Sequence, residues 1–263
     1  MEEKRIYTIH KANSLIKAKL NNFNLQQLKF LNSIYYLAQK NKNKIQNNSN
    51  IISVKYSKLI DLMGYHNRKT HPLSKIIKDS QSVLIEPIIL NNYITKKGNL
   101  KEWKKIQLIK SITINKGYRN TLDIKITKQF FNLINQKKNW TKIDTTFINE
   151  NLSSLFAQRL YEYLKSYNNL ESRKLLLYLD KFIEIFEAKK VYFSTAKLKI
   201  NRSMEIINSV SDLDIKVSYH KNNLIVFNFK NVTDIDIKAN LKNQKKIEKD
   251  KIMIANILKK ISI

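Results

Sequence analysis

Ser194-Thr195-Ala196-Lys197-Leu198-Lys199-Ile200-Asn201-Arg202-Ser203-Met204-Glu205-Ile206-Ile207-Asn208-Ser209-Val210 is the stretch on which the reading of this chain turns. On a helical wheel, Ala196, Ile200, Ser203, Met204, Ile206, Ile207 and Val210 share one broad arc. Lys197, Asn201, Arg202, Glu205 and Asn208 occupy the other, with Leu198 among them. The first arc is built to pack on a core. The second carries the chemistry of nucleic-acid contact, since arginine forks onto guanine, asparagine onto adenine, and lysine reaches phosphate. Any solvated amphipathic helix shows such an arc, so the wheel alone does not separate the two readings.

The flanks add to the argument. Residues 175–186 read as a helix, residues 187–193 as a turn, and Ser194 or Thr195 as the N-cap of the next helix. Residues 215–219 and 224–229 then alternate as strands around His220-Lys221-Asn222-Asn223. Helix, turn, helix and hairpin in this order is the winged form of the helix-turn-helix, whose second helix enters the major groove. Lys221 and Asn222 fall at the tip of the wing.

The first half follows the same plan. Residues 10–20 and 24–40 read as helices, the second with Leu25, Leu28, Leu31 (or Phe30), Ile34 and Leu37 at three- and four-residue spacing. Residues 41–50 are polar and read as a loop, residues 51–54 as a strand, and residues 56–63 as a short helix stopped by Gly64. A helix entered at Thr70-His71-Pro72 turns Leu73, Ile76 and Ile77 inward and Ser74, Lys75 and Lys78 outward. Strand-like runs follow at 84–94, 103–114 and 118–126. One long helix, with Leu152, Leu155, Phe156, Leu160, Tyr163, Leu164 and Tyr167 as its stripe, opens the second half. The fold class expected is α+β, two tandem winged-helix domains, over residues 1–140 and 141–230, with a basic tail over 231–263.

Charge names the class of partner. The 263 residues hold 49 Lys and Arg against 21 Asp and Glu, a formal net charge of +28. Residues 1–140 carry 27 basic and 7 acidic groups, so the first half is the stronger anchor for a polyanion. Codon bias explains part of the lysine count and explains less well why glutamate is scarce. There is no cysteine, which excludes disulfides and thiolate metal sites. No apolar run approaches the ~18 residues of a membrane span, and the first residues lack the apolar core of a signal peptide, so a cytoplasmic chain is expected.

Several stretches carry a resemblance. They are His10-Lys11-Ala12-Asn13-Ser14-Leu15-Ile16 with Phe23-Asn24-Leu25-Gln26-Gln27-Leu28; the run 152–165 with its Arg159-Leu160-Tyr161-Glu162 core; Ile206-Ile207-Asn208 followed by Ser211-Asp212-Leu213; and Val226-Phe227-Asn228-Phe229. Over roughly residues 10–230 the chain resembles the iteron-type plasmid replication initiators of bacteria. The resemblance implies two winged-helix domains and binding to direct repeats in double-stranded origin DNA. It further implies opening of a nearby AT-rich segment, recruitment of a host initiator and replicative helicase, and dimerisation through the first domain. The wing turn departs from the family's Gly-Arg, reading Lys221-Asn222-Asn223, and the acidic residue before the Ile-Asn pair is displaced to Glu205.

The expected DNA-binding residues are Lys197, Asn201, Arg202, Lys221 and Asn222 in the second domain and Ser74, Lys75 and Lys78 in the first. No catalytic residue, cofactor or metal is expected. The four histidines form no His-x-His pair, there is no phosphate-binding glycine loop, and Tyr161, Tyr163 and Tyr167 fit a core stripe better than a nucleophile. Asp212 and Asp214 read as a turn. A transcriptional repressor on the same fold remains the alternative, because both need the same DNA-reading surface. A metal-dependent nuclease is the third reading, and the missing histidine pair argues against it.

Overall fold

A computed structural model describes residues 7–20, 22–47, 50–65, 85–94, 100–115, 120–136, 138–168, 173–187 and 189–230. The helix expected from Thr70 onward, with Ser74, Lys75 and Lys78, lies outside the described residues, as does the tail 231–263.

The chain opens with β1 (Thr8–Ala12) and α1 (Asn13–Ile16), where a single helix over 10–20 was expected. The strand exists because residues 140–144 lie beside it, more than a hundred residues later, pairing Thr8 with Asp144 and Ala12 with Trp140. Helix α2 (Leu25–Lys40) begins at a reciprocal capping box between Asn24 and Gln27 and buries Leu28, Phe30, Leu31, Ile34 and Tyr35 completely. The polar run after it is not a loop throughout. Residues Lys42–Asn47 form α3, anchored by buried Ile45.

Strand β2 (Ile51–Lys55) leads into α4 (Tyr56–Leu62). Gly64 follows in the left-handed region at φ +76°, and a Cβ there would lie 2.9 Å from the Cβ of Asn149. Gly64→Ala therefore combines backbone strain with a clash. We expect it to lower unfolding free energy by about 1–3 kcal/mol in a denaturant titration.

Strands β3 (Ile88–Ile94) and β4 (Leu100–Ile106) form a separate hairpin. Strands β5 (Ile109–Asn115) and β6 (Thr121–Ile126) complete a sheet in the order β2-β6-β5. The run expected as one strand over 103–114 is thus two. Its break at Gln107-Leu108 is held by Thr127, whose hydroxyl donates to the Gln107 carbonyl (2.6 Å) and whose backbone N–H donates to that of Leu108 (3.0 Å). Helix α5 (Lys128–Ile134) is capped by the same Thr127. β7 (Trp140–Asp144) and α6 (Thr145–Asn151) follow.

Helix α7 (Leu155–Lys165) is capped by Ser154 and buries Leu160, Tyr161, Tyr163 and Leu164. The next expected helix, 175–186, begins instead as β8 (Lys174–Tyr178) and turns helical only at α8 (Leu179–Phe186). In β8, Leu175 and Leu177 are buried while Lys174, Leu176 and Tyr178 are exposed, a period of two that serves pairing with residues 224–228. Phe156 and Tyr163 of α7 meet Phe182 and Phe186 of α8 in an aromatic cluster, with centroids 5.2–5.8 Å apart. Such pairs add about 0.5–1.5 kcal/mol each beyond area burial.

Helix α9 (Phe193–Val210) is followed by β9 (Ile215–His220), a 3-10 turn (Lys221–Asn223) and β10 (Leu224–Phe229), with sheet order β8-β10-β9. The two halves share one plan. In each, a helix leads to an edge strand and a short helix, and two later strands complete the sheet, the last of them lying in its middle. Residues 66–84 of the first half lie outside the described residues. The architecture is α+β, two tandem winged helices.

Candidate nucleic-acid interface

Helix α9 lies against α7 and β9. Ala196, Ile200, Ser203, Met204 and Ile207 are buried, as the periodicity requires. Two expectations fail here. Ile206, placed inward on the wheel, is 41 % exposed. Asn208, placed on the outward arc, is spent on the fold. Its Nδ2 donates to the Ile215 carbonyl (2.9 Å), and its Oδ1 accepts from the Ile215 N–H (3.1 Å), clamping the end of α9 to the start of the wing. The expected cap is also displaced. The helix begins at Phe193, with Tyr192 in the cap position and no side-chain cap bond, so Ser194 and Thr195 lie exposed in the first turn.

The predicted contact residues fall on two sides of a rim. The Lys197 ammonium sits over the rings of Phe193 (4.5 Å) and Tyr219 (5.1 Å). The Tyr219 hydroxyl donates to Asn201 Oδ1 at 2.6 Å. Burial pushes the Tyr219 phenol up to about 12, so it keeps its proton, and this bond, through the ordinary working range of pH. Phe193 and Tyr219 thus preposition Lys197 and Asn201. Wheel reasoning on α9 alone missed them. The alternation of β9, which turns Ile215, Val217 and Tyr219 to one face, is the signal that points to Tyr219.

Arg202 is exposed and, among the described residues, makes no hydrogen bond or ion pair. Lys199 does not share that freedom. It is bound to Glu187 at 2.7 and 2.9 Å, which ties the first half of α9 to the turn before it. At the wing tip Lys221, Asn222 and Asn223 are exposed, and both asparagines are left-handed, at φ 60° and 57°. Asparagine tolerates that region better than other side chains, which explains how this turn closes without the family's glycine. Lys197, Asn201, Arg202, Lys221 and Asn222 thus lie on α9 and on the turn of the adjoining hairpin.

The alternative chemistries find little to work with. Tyr161 and Tyr163 are buried, and burial holds both phenols far above the usual range. Asp212, read as a turn residue, is held by Tyr161 Oη (3.3 Å) and by Lys165, while Asp214 pairs with Lys230 (2.9 Å). Among the described residues no group of three His, Asp or Glu side chains is placed to hold a metal ion. Likewise none of the described helices is long and apolar enough to cross a membrane.

A family model described as "Initiator Replication protein, WH1" matches residues 8–165. The chain belongs to this family. The match covers the first winged helix and extends through α7, which opens the second. It agrees with the resemblance carried by the Lys11-Ala12-Asn13 and Arg159-Leu160-Tyr161-Glu162 stretches. No curated protein matches the chain in sequence. Among solved structures, a selenomethionine form of domains 2 and 3 of RctB is similar in fold, with a TM-score of 0.50 at 12% identity over 79% of this chain and 82% of that one. A second RctB structure, of the same two domains, has a TM-score of 0.45 at 12% identity, covering 80% of this chain and 83% of that one. Initiators of this family are DNA-binding proteins, and α9 lies in the part of the second winged helix beyond the matched residues.

Proposed function

We propose that this chain is a sequence-specific initiator that binds direct repeats in double-stranded origin DNA through α9 and the β9-β10 wing. The observation that carries the reading is Arg202, exposed on the outward face of α9 and bonded to none of the described residues, flanked by Lys197 and Asn201 on the Tyr219 side and by the Lys221-Asn222 wing tip. Residues 141–230 supply sequence reading. Residues 1–140, with Ser74, Lys75 and Lys78, supply backbone contact and dimerisation, and the protein exchanges between dimer and monomer. Residues 231–263 add a basic tail. Bound at its repeats, the protein opens an adjacent AT-rich segment and recruits the host initiator and replicative helicase in the cytoplasm. It performs no bond-making or bond-breaking step of its own.

The test begins with a duplex site recovered by the full chain from random-sequence DNA. Arg202→Ala and Arg202→Lys are titrated against that site, single-base variants and unrelated duplex at one salt concentration. A guanidinium forked onto a guanine edge is not reproduced by an ammonium. Loss of the fork costs about 1–3 kcal/mol on the cognate site and relaxes preference at one position. Equal loss on all sequences makes Arg202 a phosphate anchor, and no loss removes α9 from the interface.

A further inference from the structure

Leu198 is the most exposed apolar residue of α9, more so than Ile206, and neither folding nor phosphate contact has a use for it. It is 52 % exposed. At about 100° per residue it lies opposite the centre of the buried stripe formed by Ala196, Ile200 and Ile207. That position is the outermost line of the helix. Ser194, Thr195, Asn201 and Arg202 surround it at i−4, i−3, i+3 and i+4, so a single apolar tip stands in a polar ring. Side chains on a helix lean toward its N-terminus, and the first turns of a recognition helix are the part that meets base edges. If α9 occupies the major groove, Leu198 is what reaches its floor.

The floor of the major groove offers one apolar group, the C5-methyl of thymine. We propose that Leu198 reads a thymine methyl next to the base contacted by Arg202, so that the site is specified by an apolar contact as well as by hydrogen bonds. This rests on the reading of α9 as the DNA-facing helix. A branched aliphatic tip excludes water from the methyl, and it disfavours cytosine at that position, whose C5 carries no methyl and whose neighbouring amino group would be left without a partner.

The test uses the full chain and the duplex recovered from random DNA. Each thymine is replaced in turn by deoxyuridine, which keeps the O4 acceptor and the pairing and removes only the methyl. Wild-type protein is expected to bind about fourfold more weakly at one or two positions, the equivalent of one buried methyl-sized group. Leu198→Ala is expected to show no loss at those positions and normal loss on mutating the Arg202-contacted base. The proposal is overturned if no deoxyuridine weakens wild-type binding, or if Leu198→Ala keeps the same sensitivity. It is also overturned if Leu198→Ala alters the association state without DNA, measured by sedimentation, and leaves the thymine preference intact, because the leucine then belongs to a protein contact. Arg202→Ala run in parallel separates the two readings. Specific binding that survives Arg202→Ala unchanged removes α9 itself, whereas loss with Arg202→Ala but deoxyuridine indifference removes only the role of Leu198.

Discussion

Raising monovalent salt from about 50 to about 200 mM is expected to weaken binding of the full chain to duplex DNA by about 10³–10⁵-fold, the range for a protein neutralising roughly six to ten phosphates. The formal charge of +28 sets the expectation, and its distribution sharpens it. Each phosphate contact releases condensed counterions, so the logarithm of the affinity falls linearly with the logarithm of salt, at a slope of about 0.9 per contact. Residues 1–140 hold 27 of the 49 basic groups and only 7 acidic ones, so most of the slope belongs to the first half. Changing both Lys75 and Lys78 to Ala is expected to reduce the slope by up to about 2 and to weaken cognate and unrelated DNA together. Arg202→Ala is expected to leave the slope nearly unchanged while lowering discrimination. Fluorescence anisotropy at five or six salt concentrations measures both quantities. A slope near zero would show that the charge serves something other than phosphate contact.

Lys11→Met is expected to cost about 3–5 kcal/mol of unfolding free energy, the range for breaking one partner out of a buried ion pair. Lys11 is completely buried, and its ammonium donates to Glu162 (2.7 Å) and to Asn32 Oδ1 (2.8 Å). Asn32 Nδ2 donates in turn to the other Glu162 oxygen (3.0 Å), closing a ring of three side chains. Burial lowers the Lys11 pKa, and the neighbouring carboxylate draws it back up. Arg159, one turn before Glu162, donates to the Ala18 carbonyl at 2.9 Å, and burial lowers its pKa to about 10. The ring joins β1 and α2 to α7, so it links the first winged helix to the first helix of the second. Removing the lysine leaves the buried Glu162 carboxylate without its paired ammonium, with the Asn32 amide and the Coulombic attraction of Arg159 still acting on it. Adding Glu162→Gln to Lys11→Met removes that stranded charge and is expected to recover much of the loss. Denaturant titrations of the two single variants and the double variant close the cycle. If the single substitution costs less than about 1 kcal/mol, the site admits water and the ring does not hold the two halves together.

Much of the second winged helix was legible in the residues themselves. The stripe Ala196, Ile200, Met204, Ile207 is a local period of 3.6, and the alternation in 215–219 and 224–229 is a local period of two. Gly64, read as the stop of a short helix, is a local signal of the same kind and lies at φ +76° just past α4. The exposure of Arg202, Lys221 and Asn222 was legible because exposure is the default for a charged or amide side chain outside the apolar period.

What the sequence by itself determined was therefore the set of amphipathic elements, their order, the wealth of positive charge and, through the order, the winged-helix plan. Only the tertiary structure decided which apolar runs became strands and which polar groups were spent internally. Residues 8–12 and 174–178 both suit a helix taken alone, and each is a strand because a partner far along the chain offers a free row of backbone N–H and C=O groups. Asn208 faces outward on a wheel, yet it serves the backbone of Ile215. Lys11 looks like any other lysine until Asn32 and Glu162 close around it. The physical reason is common to all four. Periodicity and propensity report the interaction of a residue with its near neighbours, while the partner of each hydrogen-bonding group is settled by whichever groups the fold brings within about 3 Å of it.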